Sequence, residues 1–184
     1  LALNTTTLGI PCIYYGSEQG FDGEGDSDRY IREAMFGGEF GAFGSRGRHF
    51  FNENCQVYQE LSKILALRKQ KIALRRGRQY LREISGDGLN FGLPYMIGGR
   101  MLSVVPWTRS FDDQHLLLAI NTDPNTSRQA WVSLKLDEYP AGALLTCLYS
   151  RAPEQVGQVL TVQVSGDRAL VSLEVPAAGF VIYE

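Results

Sequence analysis

The sequence predicts an α+β protein in two parts: a strand, loop and helix over residues 1–78, then an antiparallel Greek-key β-sandwich over residues 79–184. Three observations lead there. Near the start, Ile10, Cys12, Ile13 and Tyr14 form a short apolar run with no helical period, closed by Gly16. A strand buried on both faces, as in a parallel sheet, looks like this. From about Gln56 to Arg76, Val57, Leu61, Ile64, Leu65, Arg68 and Ile72 follow the spacing of one helix face, with Asn54 to cap the start and Gly77 to end it. From Gln79 onward the period changes. Short alternating or β-branched runs occupy Met101–Trp107, His115–Asn121, Trp131–Leu136, Leu144–Leu148, Leu160–Val164, Ala169–Val175 and Phe180–Tyr183.

Turn signals separate these runs at Asp112-Asp113, Asp123-Pro124-Asn125, Ala141-Gly142 and Ser165-Gly166-Asp167. Seven or eight strands with no helix between them indicate a sandwich rather than a βαβ fold. Between the first strand and the helix lies a long loop with many glycines, in which Ser27–Phe36 predicts one short amphipathic helix. So long a loop in a compact domain is usually functional or incomplete.

Composition excludes several classes. The hydrophobic fraction of 44% and charged fraction of 21% describe an ordinary globular chain, and no apolar run is long enough to span a bilayer. A net charge of −2 argues against a generally nucleic-acid-binding surface. The chain begins at Leu1 with no charged leader, which predicts a processed or truncated product. The three cysteines, Cys12, Cys55 and Cys147, are widely spaced and read as buried free thiols, which suits a reducing, cytoplasmic compartment.

The run Gly9–Gly23, GIPCIYYGSEQGFDG, resembles the eighth barrel strand of the α-amylase family, glycoside hydrolase family 13. Members carry the pattern G-x-P-x-I-Y-Y-G-x-E there, which Gly9, Pro11, Ile13, Tyr14, Tyr15, Gly16 and Glu18 match. The resemblance implies the last strand and last helix of a (β/α)8 barrel followed by the β-sandwich called domain C, whose last strand the ending VPAAGFVIYE also resembles. It implies a retaining hydrolase of α-glucans or oligosaccharides, which needs two carboxyl groups about 5–5.5 Å apart. The family places these after the fourth and fifth barrel strands and a third carboxylate after the seventh. All three positions fall upstream of Leu1, so no catalytic residue is expected in this chain. Alone it is expected to be inactive and to close and stabilise the barrel. The alternative is a non-catalytic carbohydrate-binding or structural sandwich module. A barrel strand without its neighbours has open edges, and is expected to pack on the sandwich, to self-associate with another copy, or to be poorly ordered.

In a barrel, chemistry sits where strands give way to loops. Glu18, just past the strand, either touches substrate or holds the loop through backbone hydrogen bonds. Tyr15 either stacks on a sugar ring or packs in the core, and Tyr14 and Tyr15 are expected on opposite strand faces. Arg29 and Arg32, one helical turn apart, reach either sugar hydroxyls or the neighbouring Asp28 and Glu33.

Asp22, Glu24, Asp26, Asp28 and Glu33 fall at positions 1, 3, 5, 7 and 12 of a calcium-loop count. Ser27 stands where that loop needs glycine, so a solvated acidic loop is expected, with no metal and no cofactor in this chain. The family's calcium site lies mainly in an upstream domain. His49 and His115 form no recognisable triad or metal set. Gly37, Gly38, Gly41 and Gly44 lack the ending of a phosphate loop. Lys63, Arg68, Lys69, Lys71, Arg75, Arg76, Arg78 and Arg82 make a basic stretch that reads as a solvated face rather than a nucleic-acid site. Trp107 and Trp131 are read as core or interface residues, a surface glucan platform being the sharper alternative.

Overall fold

The computed structural model describes residues 1–21, 27, 35–36, 50–96 and 98–184. Arg29, Arg32, the body of the expected Ser27–Phe36 helix, the five carboxylates of the calcium-like count, His49 and the Gly37–Gly44 glycines lie outside the described residues. Contacts divide the chain into two compact units, residues 1–5 with 9–67, and residues 6–8 with 68–184. No helix among the described residues is long and apolar enough to cross a membrane.

The chain opens with a short helix, α1 (Ala2–Thr6), in which Thr5 N–H and Thr5 Oγ1 both bond the Leu1 carbonyl. The expected strand over Gly9–Tyr15 does not form. Its backbone is irregular, Ile10 is 97% exposed, and Cys12 is exposed rather than buried. A doubly buried strand needs a partner on each edge and a layer on each face. Among the described residues no strand pairs with this segment, and the Cys12 carbonyl instead accepts from Asn4 Nδ2 at 2.6 Å.

The helix expected from Gln56 to Arg76 forms in two pieces, α2 (Gln56–Gln70) and α3 (Ile72–Arg76). Lys71 breaks it with an extended backbone, φ −97° and ψ 109°. The break leaves α3 with first-turn N–H groups to satisfy. Gln114 Oε1 accepts from Ala73 N at 2.9 Å, and Lys71 Nζ reaches the Glu184 carboxylate. Asn54 does not cap α2. Asn52 organises that entry instead, its Oδ1 accepting from Asn54 N and its carbonyl from Cys55 N.

The second unit is the expected sandwich. Its strands are β1 (Arg78–Leu81), β2 (Ile84–Ser85), β3 (Val104–Phe111), β4 (Gln114–Asn121), β5 (Arg128–Leu134), β6 (Leu144–Ser150), β7 (Val159–Thr161), β8 (Gln163–Ser165), β9 (Arg168–Val175) and β10 (Phe180–Tyr183). A six-stranded sheet in the order β1-β3-β4-β10-β6-β7 faces a four-stranded sheet in the order β2-β5-β9-β8. All strand pairings are antiparallel, and the chain changes sheet between β1 and β2, β2 and β3, β4 and β5, β5 and β6, β7 and β8, and β9 and β10, with crossing connections of the Greek-key kind. Register puts Thr108, Leu117, Tyr183 and Cys147 in one row on the inner face. Ala130, Val132, Leu134, Val171, Leu173 and Val175 from the small sheet complete this core.

The outer face of the large sheet is apolar as well. Trp107, Leu118, Ile182 and Tyr149 form a row across four strands, none more than 6% exposed. This two-sided burial explains why Leu116–Ala119 reads as a continuous apolar run rather than an alternation. On that face α3 packs on β3 and β4.

Between β2 and β3 runs a connection with one tightly organised half. Ser85 Oγ donates to Asp87 Oδ1 at 2.6 Å, and the same Asp87 oxygen accepts from Leu89 N and Asn90 N at 2.9 Å each. Asn90 Nδ2 donates to Asp87 Oδ2 at 2.7 Å. These bonds, led by that from the Asn90 backbone, hold the Asp87 carboxyl well below the ordinary carboxylate value of 3.8. Because the folded-state pKa is depressed, the stabilisation is complete above pH 3.8 and is lost as pH falls through the lower, folded value. Carbon-detected NMR titration is therefore expected to give Asp87 a midpoint well under 3.8. A midpoint at the ordinary value would mean that this turn does not exist in solution.

Candidate functional site

The residues that carry the sequence motif fold into a tight turn. Gly16 takes a left-handed backbone, φ +86°, so that its carbonyl accepts from both Gln19 N and Phe21 N at 2.9 Å. A side chain there would meet the Phe21 ring as well as strain the backbone, since an added Cβ would lie 2.8 Å from Cδ2. Ser17–Gln19 forms one 3-10 turn on this base and Gly20, also left-handed, ends it.

Gln19 fastens the turn to the approach to α2, its Oε1 accepting from Asn52 N at 2.8 Å and its carbonyl facing Cys55 Sγ at 3.7 Å. Gln19 Nε2 is buried without a partner among the described residues. Nothing in the sequence marks Gln19, because an amide inside a loop carries no periodic signal.

Tyr14 and Tyr15 are not on opposite faces of a strand. With no strand present, their rings stand side by side, centroids 4.7 Å apart, and each is about half exposed. Glu18 lies within the turn, partly buried, and its carboxylate makes no ion pair among the described residues. The turn therefore brings Tyr15 and Glu18 into one short stretch of surface. Two adjacent, half-exposed phenol rings suit a polyol ligand, since ring faces cover apolar C–H surfaces.

The other candidates separate cleanly. Trp107 is 2% exposed and stacks on Phe180, centroids 6.0 Å apart, so it cannot pair with Trp131 as a surface platform. His115 sits beside Tyr139, its Nδ1 3.8 Å from Glu138 Oε2. The basic stretch is partly engaged: Lys63 pairs with Glu60, Lys71 with Glu184, and Arg82 bonds Thr108 Oγ1 at 2.9 Å and 2.7 Å. Cys12, Cys55 and Cys147 are free, and only Cys147 is fully buried, where desolvation raises its thiol pKa. Among the described residues no three His, Cys, Asp or Glu side chains gather as a metal site.

No family model matches the chain. A cyclomaltodextrin glucanotransferase from Bacillus sp. (strain 17-1) is 27% identical over 173 residues, 94% of this chain and 19% of the relative. The cyclomaltodextrin glucanotransferase from Geobacillus stearothermophilus is 29% identical over 127 residues, 69% of this chain and 14% of the relative. α-Amylases stand among the relatives too. The homologues of this chain are thus cyclomaltodextrin glucanotransferases and α-amylases, enzymes of the α-amylase family. It spans between 13% and 20% of the length of the curated relatives it matches. Among solved structures, the γ-CGTase from alkalophilic Bacillus clarkii superposes with a TM-score of 0.61 at 21% identity, over 99% of this chain and 22% of that one. At that identity the likeness speaks for the fold, and it agrees with the α+β architecture of an α-amylase-family C-terminal sandwich.

Proposed function

We propose that this chain is the C-terminal part of a longer α-amylase-like enzyme acting on α-glucans or oligosaccharides. Residues 1–78 then end the barrel and residues 79–184 are its domain C. The observation that carries this reading is the extent of the match: similarity to a glucanotransferase runs through 94% of the chain yet occupies 19% of the relative. The pieces in which retaining glycosidases keep their nucleophile and acid/base therefore lie elsewhere in the parent protein.

In that setting Gly9–Tyr15 becomes the last barrel strand, because the neighbouring strand supplies the backbone partners that it lacks here. Tyr15, Glu18, Arg29 and Arg32 then stand at the barrel mouth. Glu18 accepts hydrogen bonds from sugar hydroxyls or orients the acidic site, Tyr15 covers an apolar sugar face, and the arginines donate to hydroxyls. The sandwich closes the barrel end and stabilises it.

The test is a starch-hydrolysis assay of the isolated chain and of the full-length protein from the same gene. The isolated chain is expected to release no reducing sugar, and Glu18→Gln in the full-length protein to lower kcat/KM by about tenfold or more, the scale of one lost charge-assisted hydrogen bond. Hydrolysis by the isolated chain would overturn the fragment reading. An unchanged kcat/KM in Glu18→Gln would remove Glu18 from the site.

A further inference from the structure

We propose that Gln79 and Arg109 are positioning residues for the site assigned above to the Gly9–Glu18 run. Together they latch Thr6–Leu8, the three residues that lead into that run, onto the sandwich. The proposal rests on the reading that Tyr15 and Glu18 stand at the barrel mouth of a parent enzyme acting on glucans.

The contacts single this segment out. Residues 6–8 group with the sandwich unit, although the residues on either side of them, 1–5 and 9–67, group together in the other. Two side chains account for this. Arg109 Nη1 donates to Thr6 O at 2.7 Å, and Leu8 N donates to Gln79 Oε1 at 2.6 Å. Gln79 and Arg109 stand directly opposite each other in the register of β1 and β3. Arg109 lies two residues beyond Trp107, so the pair shares the outer face of the large sheet.

Each bond suits its partner. The last carbonyls of a helix find no donor within it. Thr6 ends α1 and Gly77 follows α3, and Arg109 serves both, its Nη2 donating to Gly77 O at 3.0 Å. One planar fork thus ties the end of α1 to the junction of α3 with β1. A lysine could not, since its ammonium is a compact charge on a flexible stem. Arg109 and Thr6 are both fully buried, so water does not compete for that bond, whereas Leu8 is 68% exposed. The latch has a buried anchor and an exposed end.

Beyond the latch the backbone changes at once. Gly9 has φ +126° with nothing within 4 Å of an added Cβ, so backbone angle alone calls for glycine there. A held segment that passes straight into this glycine gives the run a fixed starting point. A group that meets substrate loses up to about a hundredfold in rate when displaced by about 1 Å, so that starting point matters to Glu18. The apolar core between the two sheets includes neither Gln79 nor Arg109. Their bonds serve the segment ahead of the motif.

Amide hydrogen exchange of the 184-residue chain, followed by NMR, reads the latch, and maltoheptaose hydrolysis by the full-length protein reads its effect. Leu8 is exposed, so its amide exchanges slowly only where Gln79 holds it. We expect Leu8 N–H to exchange about tenfold or more slower than a free amide, and to lose that protection in Gln79→Ala. The amides of Leu117 and Val171, inside the two sheets, are expected to keep theirs. In the full-length protein, Gln79→Ala is expected to raise KM about fivefold, the scale of one hydrogen bond. Gln79→Glu keeps the acceptor and is expected to restore it. Partial unfolding removes active molecules and lowers kcat alone, so a raised KM belongs to positioning. Arg109→Lys is expected to act in the same direction more strongly; should it fail to fold, the Gln79 variants decide alone. Free exchange at Leu8 in the wild-type chain would overturn the latch. A protected Leu8 with an unchanged KM in Gln79→Ala would overturn the positioning role. A full-length wild type that hydrolyses nothing would overturn the glucan reading and the positioning role with it. Leu8 exchange, measured without substrate, tells that failure apart from a failure of the latch.

Discussion

Replacing Trp107 by alanine is expected to cost the sandwich about 3–5 kcal/mol, the scale for deleting a buried aromatic ring. Trp107 is 2% exposed and stands in the outer row of the large sheet with Leu118, Ile182 and Tyr149, stacked on Phe180. That row lies at the middle of strands and cannot collapse into the vacated space without breaking the ladder, so most of the cavity would persist. Trp107→Phe is expected to cost well under half as much. It keeps the stacking, and it removes the indole Nε1–H, which is buried without a partner among the described residues. Trp131→Ala, at a half-buried position on the outer face of the small sheet, is expected to cost less than Trp107→Ala. Urea unfolding followed by far-UV circular dichroism gives all three values. A loss under about 1 kcal/mol for Trp107→Ala would mean that the outer face of the large sheet is not packed as described.

The sandwich was legible in the sequence because each of its long strands has its own local signal. Leu116–Ala119 announces burial on both faces, and the Asp123-Pro124-Asn125 and Ser165-Gly166-Asp167 turns mark where the chain reverses. The short β1 and β2 were not marked, because their residues are mostly exposed or intermediate and leave no apolar alternation. The break at Lys71 was hidden for another reason. Helix periodicity runs straight through it, and the acceptor that makes the break tolerable, Gln114, is 41 residues from Ala73. Gly9–Tyr15 failed in the opposite sense. Its composition is that of a buried strand, but strands exist only as pairs, and no residue type inside the run can say whether the partner is present. The motif residues Tyr15 and Glu18 were found by their sequence, whereas a cleft lined by Phe91, Tyr95 and Arg128 was not. Its parts lie on β2, the connection from β2 to β3, and the start of β5, and only the fold brings them together.

Gly77→Ala is expected to destabilise the second unit by about 3 kcal/mol, at the upper end for forced overpacking, although its backbone is one that any residue adopts. Gly77 has φ −66° and ψ 149°, so its glycine is not there for conformational freedom. Space requires it: an added Cβ would lie 2.4 Å from the Ala73 carbonyl oxygen and 3.0 Å from that of Ser110. Both are backbone atoms, in α3 and β3, and neither can swing aside as a side-chain tip would. The Ala73 carbonyl also accepts the Gly77 N–H at 2.9 Å, the bond that closes α3. The Gly77 carbonyl in turn accepts from Arg109 Nη2 at 3.0 Å, while Arg109 Nη1 donates to Thr6 O at 2.7 Å. Arg109 is 1% exposed, and desolvation followed by the nearby Arg68 charge lowers its pKa. Displacing Gly77 therefore withdraws an acceptor from a buried cation, a loss beyond the steric one. Gly142→Ala supplies the contrast. Its φ is +77° with nothing within 4 Å of an added Cβ, so only left-handed strain applies, at about 1–2 kcal/mol. If thermal melts rank Gly142→Ala as the more damaging of the two, the close approach of α3 to β3 at Gly77 is wrong. If Gly77→Ala is the worse, contact distance rather than backbone angle is what holds glycine at the junction of helix and sheet.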